Sequence, residues 1–154
     1  MYQKLFVSLD GSELDESVLG HVDALGRGCL VKEITFVRVV EPFESPSIVA
    51  DYPIKPEEVI RINAENKAVA EEYVNKMVSG FKYEGVKIEG KVLDGKAAVL
   101  AEYASKNGAD LIVIATHGRS GVSRWAWGRL VDRIVRSACV PVVMVPAPGC
   151  FPTI

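Results

Sequence analysis

Asp110-Leu111-Ile112-Val113-Ile114-Ala115-Thr116-His117-Gly118-Arg119-Ser120-Gly121 joins an apolar run to a glycine-containing segment. Its first half is a continuous apolar run bounded by turn signals, the pattern of a parallel strand covered on both faces, and it predicts the middle of a sheet. Its second half is a glycine-containing connection. Glycines after a buried strand let backbone N–H groups approach an anion, and Gly128 stands where the next helix begins, adding a helix N-terminus to the cradle. In that helix Leu130, Val131, Ile134, Val135 and Ala138 give a buried stripe, and Pro141 to Val145 reads as a last strand.

Toward the N-terminus the same alternation repeats. Leu5 to Leu9 is a short β-rich run that stops at Asp10-Gly11-Ser12, a turn joined to a helix N-cap signal. Leu14, Val18, Val22 and Leu25 follow at helical spacing, closed by Gly26 and Gly28. Glu33 to Val40 predicts a second strand. Four of the eight prolines fall in residues 41–56, which predicts a long loop of the kind that is often functional. Val69, Tyr73 and Met77 mark an amphipathic helix from Pro56 to about Gly80, and Lys87 to Leu93 alternates like an edge strand with one wet face. A helix carrying Val99, Leu100, Tyr103 and Ala104 then ends at Gly108.

Five strands alternating with four helices imply right-handed βαβ crossovers, a parallel sheet and helices on both faces. Ligands of such sheets bind at the carboxyl ends of strands. The candidates are therefore Asp10, Val39 to Glu41, Asp94-Gly95 and Thr116 to Gly121.

Composition bounds the function. With 154 residues, 49% hydrophobic and 25% charged, the chain suits one globular domain over 1–154. A formal net charge of −2 gives no global field that would gather nucleic acid or an anionic membrane. Residues Arg119 to Arg136 nevertheless hold five arginines and one acid, a local positive patch beside the glycine connection that suits an anionic ligand. The start lacks a secretory signal and no apolar run spans a bilayer, so the expected location is cytoplasmic, with no membrane segment. Cys29, Cys139 and Cys150 have neither disulfide nor zinc spacing, and Cys139 is expected in an apolar setting. Walker A is excluded because no Gly-Lys-Ser/Thr follows the glycines, and no G-x-G-x-x-G follows the first strand.

Three segments, Val7 to Ser12, Gly108 to Gly121, and Val131 to Ser137 leading to Pro141-Val142-Val143-Met144-Val145, together resemble the universal stress protein family. The resemblance covers nearly the whole chain. It implies a Rossmann-like, adenine nucleotide alpha hydrolase-like sheet in the order 3-2-1-4-5, a homodimer, and in ATP-binding members the motif G-x2-G-x9-G-[S/T]. Here Ala115 takes the first glycine position, Gly118 the second and Gly128 the third, and Arg129 replaces the hydroxyl residue. The guanidinium either substitutes for that hydroxyl with charge-assisted contacts or fills the space of a terminal phosphate.

The resemblance further implies that ATP or another adenine nucleotide is the cofactor, with Mg²⁺ carried on its phosphates. Asp10 would meet the ribose or that metal, beside Ser8 and Leu9, and the Val39 backbone would face the adenine edge. Ala115, Thr116, His117, Gly118, Arg119, Gly121, Gly128, Arg129, Leu130 and Val131 would surround the phosphates. The expected function is a nucleotide-binding module in stress response or regulation. The alternative is a nucleotide-free dimeric interaction scaffold, because Arg129 breaks the motif.

No catalytic residue is identified and slow ATP hydrolysis is left open. Neither His117 nor Asp10 has an identifiable partner base. A receiver-domain reading, with Asp94 as phosphoacceptor, lacks the paired acids after strand one and a Lys after strand five. Trp125 and Trp127 are read as packing under the glycine connection. The tail from Ala147 to Ile154 is apolar, and dimer contact through the last strand and this tail is expected.

Overall fold

A computed structural model of the protein describes residues 2–12, 15–44, 54–96, 98–116 and 127–146, and for 15, 16, 116 and 127–130 it describes the backbone alone. The elements are β1 (Lys4–Leu9), α1 (Asp15–Gly28), β2 (Glu33–Val40), α2 (Pro56–Gly80), β3 (Lys87–Asp94), α3 (Ala98–Lys106), β4 (Leu111–Thr116), α4 (Trp127–Ser137) and β5 (Val142–Pro146). The five strands form one sheet in the order β3-β2-β1-β4-β5. All four ladders are parallel.

One expectation needs correction. The apolar run of β4 predicts the middle of the sheet, yet β1 holds that place and β4 lies between β1 and β5. A continuous apolar run reports burial on both faces, which a strand can have at any interior place of a sheet covered by helices. Residues 5–9 of β1 and 111–114 of β4 are all buried.

The sheet divides the interior into two clusters. On one face Leu5, Val7, Leu9, Ile34, Phe36 and Val113 pack with Val18 and Val22 of α1 and Val74 of α2. On the other, Phe6, Val37, Ile112 and Ile114 pack with Leu100 and Ala104 of α3 and Val131 and Ile134 of α4. Fully burying each such side chain contributes about 1.5–3 kcal/mol. The helical stripes are narrower than the spacing suggests, since Val135 is 45% exposed and Val69 is 59% exposed. In α2 the fully buried positions are Ala70 and Val74, one residue round the helix from Val69. Cys139 is exposed rather than apolar in setting, because it lies past the end of α4 in the turn toward β5.

Backbone chemistry fixes the ends of the strands. Gln3 N and Lys4 N both donate to Asp110 Oδ2 at 2.9 Å, which ties the start of β1 to the start of β4. Pro56 opens α2 where no intrahelical N–H is needed, with Glu57 and Glu58 in the positive first turn. Between α2 and β3 the contact is so close that a Cβ on Gly90 would collide with Val74 Cγ1. Tyr83 donates its hydroxyl to Asp23 Oδ1 at 2.8 Å, and burial together with that bond pushes its pKa up to about 12.

Candidate functional site

The strands end at different heights, and that stagger makes the site. The last β1–β2 pair is Leu9 with Arg38, whereas β2 continues against β3 through Val39 with Leu93 and Val40 with Asp94. Val39 and Val40 therefore have a strand partner on the β3 side alone among the described residues. After Leu9 the chain turns away at Asp10, whose Oδ1 accepts a 2.8 Å hydrogen bond from Ser12 N. Gly11 sits at φ +85°, a backbone shape that glycine adopts without steric cost.

A cavity of about 310 Å³ fills the space this leaves, lined by Ser8, Leu9, Asp10, Arg38, Val39, Val40, Glu41, Asn66 and Val69. Of the expected site residues it brings together Ser8, Leu9, Asp10 and Val39. Ser8 and Leu9 are buried, Asp10 is exposed and Val39 is half-buried. Ala115 and Thr116 end β4, paired with Val145 and Pro146 of β5, and Ala115 does not line this cavity. Gly128, Arg129 and Leu130 lie in the first turn of α4, and Val131 is buried among Ile112, Ile114 and Ile134. His117, Gly118, Arg119, Gly121 and Trp125 lie outside the described residues, as does the tail from Ala147 to Ile154.

Asp94 belongs to a neighbouring space of about 280 Å³, lined by Val40, Pro42, Asn63, Ala64, Lys67 and Asp94. Its Oδ2 accepts a 2.8 Å bond from Lys67 Nζ, and that bond raises the Lys67 pKa. Asn63 faces the same space and grips the chain leaving β2, accepting from Phe43 N at 2.7 Å and donating to Phe43 O at 3.3 Å. The first residues of the loop at 41–56 are thus fastened to α2. Residues 45–53 of that loop lie outside the described ones.

Three lining residues went unread in the sequence. Arg38 is the only cation among the described residues of the cavity wall, and Asn66 and Val69 project from α2. The signal for Arg38 was present: residues 34, 36 and 38 share one strand face, and after Ile34 and Phe36 a charge breaks an apolar pattern at the strand's carboxyl end. Val69 marks the apolar spacing of α2, and that spacing cannot separate a buried stripe from its margin.

A model of the universal stress protein family matches residues 1–146. The chain belongs to that family. A universal stress protein of Methanocaldococcus jannaschii is 29% identical over 149 residues, spanning 96% of this chain and 84% of that one. Among solved structures, the hypothetical protein MJ0577 superposes with a TM-score of 0.77 at 20% identity, over 97% of this chain and 99% of its own. A universal stress protein family member from Arabidopsis thaliana, solved with AMP bound, gives 0.62 at 18% identity over 96% and 93%. Family structures in complex with cAMP and, from Archaeoglobus fulgidus, with dAMP give TM-scores of 0.62 and 0.59 at 19% and 20% identity. The expected sheet order 3-2-1-4-5 is the one observed in this universal stress protein.

Proposed function

We propose that this universal stress protein binds an adenine nucleotide across the carboxyl ends of β1, β2 and β4, and that occupancy of the site regulates a stress response. The observation that carries this reading is the cavity formed by Ser8 to Asp10 and Val39 to Glu41, where β2 outruns β1. Its volume is at the lower end of small-ligand sites, roughly 300–1,000 Å³, and suits a nucleoside whose phosphates extend beyond it. Family members solved with AMP, cAMP and dAMP support the same ligand class.

In this reading the Val39 backbone meets the base and Asp10 meets the ribose, beside Ser8 and Leu9. The phosphates run past the ends of β1 and β4, at Ala115 and Thr116, toward His117, Gly118, Arg119 and Gly121. Gly128, Arg129, Leu130 and Val131 add the positive end of α4. Among the described residues no group of three or more His, Cys, Asp and Glu side chains could hold a metal. Mg²⁺ carried on the phosphates is the alternative partner of the Asp10 carboxylate. Two copies associate through the exposed edge of β5. No helix among the described residues is long and apolar enough to cross a membrane.

Isothermal titration of nucleotide-stripped protein with AMP, ADP and ATP in Mg²⁺ tests the reading, repeated with Arg129→Ser. Micromolar binding of at least one adenine nucleotide is expected, with ATP gaining most from Arg129→Ser if the guanidinium fills the terminal phosphate space. Absence of binding by both proteins would overturn it.

A further inference from the structure

Arg38 is half-buried at the end of β2, on the strand face that Ile34 and Phe36 give to the core beneath α1 and α2. Placing a charge there costs solvation. Its guanidinium is held from two sides. Its Cζ lies 5.3 Å from the centroid of the Tyr73 ring on α2, within cation–π range. It also lies 2.9 Å from where a Cβ on residue 11 would stand, so the bare backbone of Gly11 is what makes room for it. Among the described residues Arg38 forms no ion pair, although the same cavity is lined by the carboxylates of Asp10 and Glu41. The result is a positive charge held beside Tyr73 and Gly11, on a wall whose other charged groups among the described residues are two acids.

A cavity with two carboxylates and no cation repels any anion entering it. From these observations, and resting on the nucleotide reading above, we propose that Arg38 is the specificity-determining residue that offsets the acids of this wall and so raises the cavity's affinity for a phosphorylated nucleotide relative to the neutral nucleoside. It acts by charge on the whole ligand and requires no direct phosphate contact. One unit charge fixed within about 8 Å of a phosphate, in a part-exposed cavity, changes binding on the order of tenfold.

The test is isothermal titration of the full, nucleotide-stripped chain with AMP and with adenosine, for wild type, Arg38→Gln, Arg38→Lys and Glu41→Gln. Arg38→Gln is expected to weaken AMP about tenfold while adenosine stays within about twofold, and Arg38→Lys to hold AMP within about threefold of wild type. Glu41→Gln is expected to shift the ratio the other way, tightening AMP and leaving adenosine alone. Equal weakening of AMP and adenosine by Arg38→Gln would mean that the side chain only props the Gly11 turn, and would overturn the proposal. So would an unchanged ratio in a wild type that binds both ligands, which leaves the nucleotide reading standing. Binding of neither ligand by wild type overturns both. Should Arg38→Gln fail to fold, the ratios for Arg38→Lys and Glu41→Gln decide the matter.

Discussion

At one edge of the sheet Lys87 of β3 reaches Glu89 at 2.8 Å and Glu33 at 3.7 Å, and Glu33 also holds Lys4 at 2.9 Å. Helix α2 presses onto the same strand at Gly90. At the other edge β5 presents Val143 and Met144, 37% and 50% exposed, and pairs with β4 alone among the described residues. Any edge strand offers unpaired backbone groups to a second chain. Charge blunts β3, whereas among the described residues β5 is left apolar and open, which on the proposed reading directs association to that side.

The largest effect is expected where the protected edge is packed most tightly. Gly90→Leu drives a side chain into Val74 and toward Val78 and should cost about 3 kcal/mol, read from the urea or thermal midpoint. An unchanged midpoint would show that α2 lifts away from β3 freely. The intermediate effect belongs to β5. Val143→Lys with Met144→Lys should leave stability within about 0.5 kcal/mol, since both positions face solvent, and reduce the mass seen by light scattering to a single chain. An undiminished mass would take β5 out of the interface.

The smallest effect sharpens the electrostatic side of the comparison. A hydrogen bond from Lys87 holds the Glu89 carboxyl below its ordinary value of 4.5. A lowered folded pKa contributes stability that is present above the unfolded value and lost as pH falls through the folded one. Glu89→Gln should therefore remove a small part of the destabilisation below about pH 4.5, with solvent screening keeping the difference slight. If the acid limbs of wild type and variant superimpose, the ion pairs of β3 serve to deter pairing and add nothing to folding.

Element order was legible in the sequence because strand and helix periods differ and each element is bounded by Gly, Pro or Asp. Rank within the sheet was not: the apolar run Leu111 to Ala115 reads as central, but burial on both faces is shared by other interior strands. The site was half legible. Asp10 and Val39 to Glu41 follow from the rule that ligands gather at strand ends, and the structure places them on one cavity. Asn66 and Val69 escaped because a helix brings them there from far along the chain, and an exposed Val on α2 looks like core until the helix is docked. Arg38 was readable as a charge breaking an apolar face, but only the left-handed turn at Gly11 and the ring of Tyr73 show where its guanidinium rests.

The sheet is also a partition. Side chains under α1 and α2 meet one another, and those under α3 and α4 do the same, while the strand backbones form the wall between. Arg38 and Tyr73 stand in the first compartment, and the opening turn of α4 belongs to the second. On the proposed reading a nucleotide reaching from Val39 to that turn would act as a rivet through the wall, fastening two half-cores that otherwise communicate only along the strands. A small ligand would then stiffen the whole molecule while touching only its rim.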